Sequence, residues 1–342
     1  MRRIAIEEHF YTEEYVDYLC SRRDCPRIEI VEDEKHRKIE RHWSEPSLPP
    51  RVIDPDKPSL AGMHIDVGEG RLRDMDQAGI DMAVLSLGDP GVDAFDAADG
   101  TTWARKTNEE LAKIVQRHPT RFAGLAALAP LNPRGAADEL KRAVVELGLK
   151  GALINSHFQG EYLDDSKYWG ILETAEGLGA PIYLHPRWPS PDMLKPYLAY
   201  PGLPLAVWGF AAEAGLHAVR LILSGVFDRY PRLKIILGHL GEALPYWLWR
   251  MDNKCPPGLA SKLKKKPSAY VKDNFLVTTS GMFSQPPFLC SYLALGADNI
   301  CFAIDYPRES CEQAVRFMDS VPICDADKEK VYHLNVEKLF GL

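Results

Sequence analysis

The feature that most restricts the fold of this chain is a regular alternation of short apolar runs with segments of helical periodicity. Eight runs have the length and composition of β-strands, and several are apolar throughout, which is typical of strands buried on both faces. Between them lie segments such as residues 136–148, where apolar residues recur at helical spacing and Gly148 suits the helix end. The eight runs are IAIEEHF (4–10), AVLSLG (83–88), FAGLAALA (122–129), GALIN (151–155), PIYLHP (181–186), KIILGH (234–239), FLVTTS (275–280) and ICFAID (300–305).

This alternation predicts an α/β fold with a parallel sheet, and closure into a (β/α)8 TIM barrel is its simplest arrangement. The 342 residues are enough for one such barrel, so we predict a single domain over residues 1–342. An open doubly wound sheet is the alternative. That fold is expected to carry a glycine-rich phosphate loop after its first strand, and EEHFYTEE (7–14) has no glycine.

Residues 21–70 interrupt the alternation, because they are charged and proline-rich and show little periodicity. An insertion of this length in a compact domain is usually functional or disordered. Since it follows the first strand, it would rise from the barrel face that carries active sites in this fold. We interpret it as a lid or a subunit-contact arm, with a mobile loop as the alternative.

Charge and cysteine content exclude several classes of partner. The net charge of −7 gives no electrostatic reason to expect nucleic acid or an anionic membrane. No apolar stretch has the length of a membrane span, and the N-terminus has no signal-peptide core. The seven cysteines are scattered and form no CxxC pair, which favours free thiols in a reducing cytoplasm over a disulfide framework or a zinc knuckle.

Polar residues stand at the carboxyl ends of several predicted strands, where barrel enzymes carry their active sites. In IAIEEHF, alternation places Glu7 and His9 on one side of the strand. The same alternation places Ile6, Glu8 and Phe10 on the other side. The further strand-end residues are His185, His239 and Asp305.

Five such groups at one level of a barrel need a cation or mutual pairing to offset their desolvation. Together they predict a divalent metal site. For any one of them alone, a packed histidine or a paired acid is an equally good explanation.

The other histidines differ in what their surroundings predict. Glu242 follows His239 by three residues, and a carboxylate that reaches an imidazole fixes its tautomer and raises its basicity. The pair is therefore a candidate general base, or a structural contact. His157 falls just past the fourth strand, where it could face a substrate. We predict surface or loop positions for His36, His42, His64, His118 and His333.

Four motifs carry a resemblance to a known family. IAIEEHF, YLHPRWP, ILGHLGEALPYWLWRMD and CFAIDYP together resemble the amidohydrolase-superfamily decarboxylases that remove CO2 from hydroxybenzoates without oxidation. INSHFQGEYLDD (154–165) looks closest to 5-carboxyvanillate decarboxylase, whereas EEHF and HPR are also similar to γ-resorcylate and 2,3-dihydroxybenzoate decarboxylases. The resemblance covers nearly the whole chain apart from residues 21–70.

The resemblance implies one divalent metal ion, zinc or manganese, and a small aromatic carboxylate as substrate with CO2 as product. It implies that His239, held by Glu242, deprotonates the phenol, that Asp305 protonates the ring, and that Arg250 contacts the substrate. It also implies a homodimer or homotetramer. The implied metal ligands are Glu7, His9, His185 and Asp305.

One position departs from the family pattern. After DYP the relatives tend to carry an aromatic residue, whereas this chain has Arg308. An arginine at the mouth of the pocket suits a second carboxylate or another polar substituent on the substrate. Pairing with Glu309 or with the insertion is the alternative. The expected walls for a flat ring, which are as often simply core residues, are Trp188, Phe10 and Tyr306.

Two other functions use the same residues. A metal-assisted hydrolase, such as one that opens lactones, would activate a water molecule instead of the carboxylate. A non-catalytic metal-dependent scaffold could have kept the fold, although a decayed site should have lost at least one of these residues. Release of CO2, as opposed to ring opening with uptake of water, separates the first alternative from the decarboxylase.

Overall fold

The structure is a computed structural model that describes all 342 residues. All eight apolar runs of the sequence contain strands. The insertion contributes three more strands, and the third run is divided into two short strands at Leu125. The strands are β1 (Ile4–Phe10), β2 (Arg27–Glu32), β3 (Lys38–Trp43), β4 (Arg51–Val52), β5 (Met82–Leu87), β6 (Phe122–Gly124), β7 (Ala126–Ala127), β8 (Ala152–Asn155), β9 (Ile182–His185), β10 (Ile235–Leu237), β11 (Phe275–Thr278) and β12 (Ile300–Cys301).

The strands outside the insertion are all parallel and follow chain order. One sheet has the order β1-β5-β6 and the other runs from β7 to β12. Ile6 of β1 forms a parallel bridge with Ala303, and its amide donates to the carbonyl of Phe302 at 3.1 Å, which links the first strand to the segment after the last. With β6 and β7 counted as parts of one strand, the predicted (β/α)8 fold is confirmed.

Helices follow the strands and cover them. Helix α5 shows the local reasons, because the Asn132 side chain caps it, proline occupies its first turn, and Leu140 is on its buried face. None of the helices combines the length and apolar composition needed to cross a membrane. The helices are α1 (Glu13–Ser21), α2 (Leu60–Ile65), α3 (Glu69–Ala78), α4 (Ala97–Arg117), α5 (Pro133–Val145), α6 (Trp169–Leu178), α7 (Pro191–Leu194), α8 (Gly209–Ser224), α9 (Val226–Arg229), α10 (His239–Glu242), α11 (Leu244–Lys254), α12 (Pro257–Ala260), α13 (Pro267–Asn274), α14 (Gln285–Leu295), α15 (Cys311–Ser320), α16 (Asp325–Glu329) and α17 (Asn335–Phe340).

Two apolar clusters separate the inside of the barrel from its outside. The smaller cluster has 14 buried residues, of which 12 come from the eight strand segments of the ring and two, Val336 and Phe340, come from α17, so it is the barrel interior. The larger cluster has 68 residues, includes Ala5 and Phe10, and lies between strands and helices. Polar groups at the carboxyl ends of the strands therefore stand above a dry interior.

The insertion, which we call the arm (residues 21–70), contains an antiparallel sheet in the order β2-β3-β4. Glu40 fastens this sheet to the start of α2, because its carboxylate accepts hydrogen bonds from Ser59 Oγ at 2.5 Å and from the Ala61 amide at 3.0 Å. On β3 and β4, His42 and Arg51 stand opposite each other. The arm is thus ordered structure and not an irregular loop.

Candidate active site

Strand β1 positions two of the site residues through a β-bulge. Glu7 has a φ of +74°, and the register of β1 against β5 shifts between Ile6 and Glu8. A bulge of this kind re-aims the side chains that follow it. Ile6 therefore belongs to the barrel interior while Phe10 packs outside, and Ile6 does not share a face with Phe10 as simple alternation predicted.

Three buried side chains converge above the barrel interior. One ligand atom from each of Glu7, His9 and His185 lies within 4.8 Å of the others. Asp305 Oδ1 approaches His9 Nε2 to 3.3 Å. Glu7 Oε1, His9 Nε2 and Asp305 Oδ1 are buried without any hydrogen-bond partner, a costly state for polar atoms that a cation would relieve. Carboxylate oxygens with imidazole nitrogens suit zinc or manganese, so the residues fit one divalent ion.

Neighbouring residues hold the far side of two of the donors, Glu7 and His185. The second oxygen of Glu7 accepts hydrogen bonds from the hydroxyls of Tyr183 and Thr278. His185 Nδ1 is 2.8 Å from Asn155 Oδ1. These contacts orient the donors so that the remaining atoms face the centre of the cluster.

The ionisation of these groups follows from their burial. Burial lowers the pKa of His9 to about 4 and that of His185 to about 3, so both imidazoles are neutral, the form that binds metals. Burial also raises the pKa of Asp305 to about 7, and the positive charges of His239 and Arg51 oppose that rise.

A tight turn after β10 brings His239 and Glu242 together. His239 Nδ1 is 2.7 Å from Glu242 Oε1. Gly241 has a φ of +87°, and a Cβ there would lie 2.9 Å from Val277 Cγ1, so the turn requires glycine. Burial alone would lower the pKa of His239, but the carboxylates of Glu242 and Glu7 raise it to about 10.

The cluster forms the floor of a cleft with a volume of about 280 Å³. His185, His239 and Asp305 lie on the barrel side of this cleft. The arm covers it from the other side with His42, Ser44, Leu48, Pro49 and Arg51. The remaining lining comes from the segments that follow the strands, including the start of α8, namely Asp89, Pro186, Trp188, Leu205, Ala206, Phe210, Arg308 and Glu309.

Comparison with known proteins assigns the family. The pattern that describes the amidohydrolase family matches residues 61–342. The chain belongs to the amidohydrolase family. Within it, the γ-resorcylate decarboxylase of Polaromonas sp. (strain JS666) is 41% identical over 303 residues, which are 85% of this chain and 92% of that relative.

Solved structures of the family agree over the whole chain. The 5-carboxyvanillate decarboxylase from Sphingomonas paucimobilis has a TM-score of 0.87 at 39% identity and covers 100% of this chain and 99% of its own. A dihydroxybenzoic acid decarboxylase from Polaromonas sp. JS666, with bound manganese and the inhibitor 2-nitroresorcinol, has a TM-score of 0.84 at 36% identity and covers 100% and 97%. The predictions of a carboxy-lyase and of one divalent metal ion are thereby confirmed.

Two of the predicted substrate-binding residues line the cleft. Trp188 is buried in its wall. Arg308 stands at its edge, where its guanidinium lies 3.8 Å from Asp89 Oδ2. The alternative of a pair with Glu309 is not what the structure contains, because Asp89 from the loop after β5 takes that position.

Three other predicted residues lie outside the cleft. Phe10, expected as a wall, packs between strands and helices, because it lies on the face of β1 opposite to His9. Tyr306 is buried, its ring lies under the Arg71 guanidinium, and its hydroxyl donates to Asp74 at 2.8 Å. His157 holds the loop after β8 together, since its Nε2 is 3.1 Å from the carbonyl oxygen of Trp188.

Arg250 is also placed differently from the expectation. It is exposed on α11, beside Trp247, and lines an apolar groove separate from the cleft. Arg250 therefore makes no contact with the cleft of its own chain. A contact with substrate would need this residue to be supplied by another copy.

The arm supplies residues that sequence reasoning missed. His42 was expected on the surface or in a loop, but it faces the cleft, and its Nε2 contacts the Glu40 carboxylate. No pattern in the sequence points to Arg51. His64, expected in a loop, is fully buried and stacks on Tyr11 at 4.2 Å. The one available signal was the spacing of Glu40 and His42, two residues apart and so on one face of a strand.

Proposed function

We propose that this protein removes CO2 from a hydroxylated benzoic acid without oxidation, with one divalent ion held by Glu7, His9, His185 and Asp305. One observation carries the proposal. Buried, unpartnered donor atoms converge at the floor of a cleft that is also lined by His239, whose other ring nitrogen contacts Glu242. The relatives named for γ-resorcylate, 5-carboxyvanillate and dihydroxybenzoic acid support the substrate class.

The chain's own residues prepare the site for the substrate. When bound, the ion supplies positive charge that orients the reacting carboxylate and its ortho hydroxyl and supports negative charge on them. Asn155 holds His185, and Tyr183 with Thr278 holds Glu7. Trp188 and the arm close the cleft around the ring and limit the access of water.

Two groups then move the protons of the reaction: His239 acts on the phenol and Asp305 acts on the ring. Without an ion, the pKa of about 10 keeps His239 protonated. With an ion bound, the charge of Glu7 would be offset and that pKa lowered, and neutral His239 would then accept the phenolic proton at Nε2 while Glu242 holds Nδ1, so that the oxyanion pushes electron density into the ring. Asp305 delivers its proton to the ring carbon that bears the carboxylate. The bond from that carbon to the carboxylate breaks, CO2 leaves and the ring becomes aromatic again. His239 returns its proton to the phenolate, and solvent reprotonates Asp305. The reverse sequence, at high bicarbonate, carboxylates a phenol.

The arginines of the cleft suit a substrate with a second anionic or polar substituent. Arg51 on the arm and Arg308 on the barrel both line the cleft, and Arg308 is 3.8 Å from Asp89. Guanidinium groups favour carboxylates as partners. In this proposal residues 1–342 are one domain, and the arm is a roof over its own cleft.

The assembly and location are proposed on separate observations. Helix α11 exposes Tyr246 and Trp249, which are 77% and 71% accessible, next to Trp247. An aromatic surface of this kind supports a homodimer or homotetramer. All seven cysteines are free, which suits a cytoplasmic enzyme.

The test is a decarboxylation screen of protein reconstituted with Zn²⁺ or Mn²⁺. The panel contains 2,3- and 2,6-dihydroxybenzoate, 5-carboxyvanillate and one further hydroxylated dicarboxylate, and CO2 release is measured together with the ultraviolet change. We expect turnover that is lost in Asp305→Asn. Preference for a diacid that Arg308→Phe abolishes would support the role of Arg308. No turnover on the panel with metal bound would contradict the proposal, and lactones would be tested next.

A further inference from the structure

A buried amide connects the proposed metal site to a residue outside the cleft. His185 Nδ1 lies 2.8 Å from Asn155 Oδ1. The Asn155 Nδ2 group lies 3.1 Å from both carboxylate oxygens of Asp93, and the Asn155 backbone amide donates to the same carboxylate at 2.6 Å. Asp93 and Asn155 are 3% and 1% exposed, so water does not compete for these contacts.

The carboxylate decides which way the amide faces. Burial raises the pKa of Asp93 to about 6 and Arg187 opposes the rise, so at neutral pH this group is ionised and only accepts hydrogen bonds. It therefore selects the NH2 end of Asn155, and the carbonyl end must face His185. A carbonyl can only accept, so the imidazole proton resides on Nδ1 and the Nε2 lone pair is free for the metal centre.

Gly91 and Arg187 support the contact between Asp93 and Asn155. Gly91 has a φ of +71°, and a Cβ at that position would lie 2.3 Å from Asn155 Nδ2. The Arg187 guanidinium lies 3.9 Å from Asp93 and donates to the carbonyl of His157 at 2.8 Å. The loop after β5 is thus shaped to bring Asp93 against the amide.

We propose that Asp93 is a positioning residue for the metal site, which fixes the orientation of the Asn155 amide and through it the metal-binding tautomer of His185. The inference rests on the proposed function, because it takes His185 as a metal ligand. Asp93 contacts neither the metal donors nor the cleft.

Loss of the charge on Asp93 should let the amide reverse. In Asp93→Asn the new side chain can either accept from Asn155 or donate to it, so both orientations of Asn155 become satisfied. The reversed amide donates to His185 Nδ1, which moves the imidazole proton to Nε2 and blocks the metal-binding atom. Loss of such an outer contact weakens metal binding about 10- to 100-fold in comparable sites.

The experiment measures the Mn²⁺ affinity of the metal-free full chain, by chelator competition and by electron paramagnetic resonance of free Mn²⁺, without substrate. We expect Asp93→Asn to bind Mn²⁺ about 10- to 100-fold more weakly than the unchanged protein. The double exchange of Asp93→Asn with Asn155→Asp should recover most of the affinity. In that variant the carboxylate introduced on β8 accepts from His185 Nδ1, while the amide introduced on the loop after β5 donates to the same carboxylate.

A matched control uses a similar contact elsewhere in the barrel. Glu139 accepts a hydrogen bond from Asn108 Nδ2 at 2.8 Å between α5 and α4, so Glu139→Gln makes the same chemical change away from the site. Its Mn²⁺ affinity should be unchanged. Thermal unfolding of each metal-free variant tests whether it folds.

The inference is overturned if folded Asp93→Asn binds Mn²⁺ as tightly as the unchanged protein, or if the double exchange recovers nothing. The decarboxylation screen is read separately. If the unchanged protein binds Mn²⁺ but releases no CO2, the proposed function fails while the inference about Asp93 is still decided by the affinities.

Discussion

Glu242 acts on the proposed chemistry through one contact, its carboxylate against His239 Nδ1 at 2.7 Å. Glu242→Gln keeps the size of the side chain but removes the charge that favours a protonated imidazole. We expect kcat to fall roughly 100-fold with little change in KM, which lies in the range of general acid–base effects. Steady-state kinetics at equal Mn²⁺ occupancy measures this change. An unchanged kcat would show that the pair is structural.

We expect Arg51 to act mainly on substrate binding, because it reaches the cleft from the arm. A charged hydrogen bond contributes about 1.5–3 kcal/mol. For Arg51→Met we therefore expect KM to rise roughly 10- to 100-fold while kcat stays within about threefold. Steady-state kinetics of Arg308→Met would show whether the second arginine of the cleft has the same effect on KM. Equal KM values in Arg51→Met and the unchanged protein would exclude a substrate contact.

The positions of single residues could be predicted only where their backbone is regular. His185 ends a regular strand, and its place at the floor of the cleft follows from strand order. Glu7 was assigned correctly to the side of His9. The position of Ile6 was not predicted, because a bulge at one residue leaves no mark in the alternation of polar and apolar side chains. Phe10 was expected in the cleft because it is aromatic, although alternation already placed it on the side of the strand away from Glu7 and His9.

At the scale of elements, the stability of the folded arm depends on the ionisation of Glu40. Burial alone would raise the pKa of Glu40, but hydrogen bonds from His42 and Ser59 hold it below its usual value. An acid with a lowered pKa in the folded state stabilises that state above its unfolded pKa, and the contribution is lost as pH falls through the folded value. Glu40 should therefore stabilise the arm near neutral pH, and this stabilisation should be lost in acid.

The corresponding variant is Glu40→Gln. We expect it to lower the free energy of unfolding by about 2 kcal/mol near pH 7, because it weakens charged hydrogen bonds to His42 and Ser59. The difference from the unchanged protein should begin to shrink as pH falls below about 4.3, where glutamate in the unfolded chain is protonated, and should vanish as pH falls through the lower pKa of folded Glu40. Denaturant unfolding at both pH values measures it, and amide exchange locates the loss in β2, β3 and β4. A difference independent of pH would contradict this assignment.

The strands of the arm lacked the signal that identified the barrel strands. The apolar runs of the barrel are buried on both faces, whereas the arm strands leave most side chains exposed or half-buried. Their sequences are accordingly polar, and β4 has only two residues. Hydrogen bonds between the paired strands hold this sheet together, and a pattern of buried apolar side chains does not. Its position over the cleft therefore could not be predicted from the sequence.

At the scale of the whole molecule, the proposed assembly can be tested by a substitution on the aromatic face of α11. Trp249 is 71% accessible in the single chain. If this face joins copies, Trp249→Lys buries a charge against the partner and should raise the dissociation constant at least tenfold, since buried tryptophans dominate such interfaces. Light scattering over a range of concentrations measures the mass. The substituted residue lies on an exposed helix face, so an unchanged mass would exclude this surface from the interface.

The metal site should also affect the stability of the entire fold, because its proposed donors come from the first strand, from β9 and from the segment after the last strand. Glu7 and Asp305 are joined by only one backbone hydrogen bond of 3.2 Å, and a shared ion would tie the first strand to the segment after the last. A cation that binds only the folded state adds about 2.7 kcal/mol at a hundredfold excess over its Kd. For a chain of this size we expect Tm to rise by roughly 4 °C with Mn²⁺ or Zn²⁺. Mg²⁺ should give a smaller rise, because it prefers oxygen ligands over imidazole.

Thermal unfolding of metal-free protein with each cation measures the shift. In Glu7→Gln the rise should disappear, while Glu139→Gln should keep it, and a rise that persists in Glu7→Gln would place the stabilising ion elsewhere.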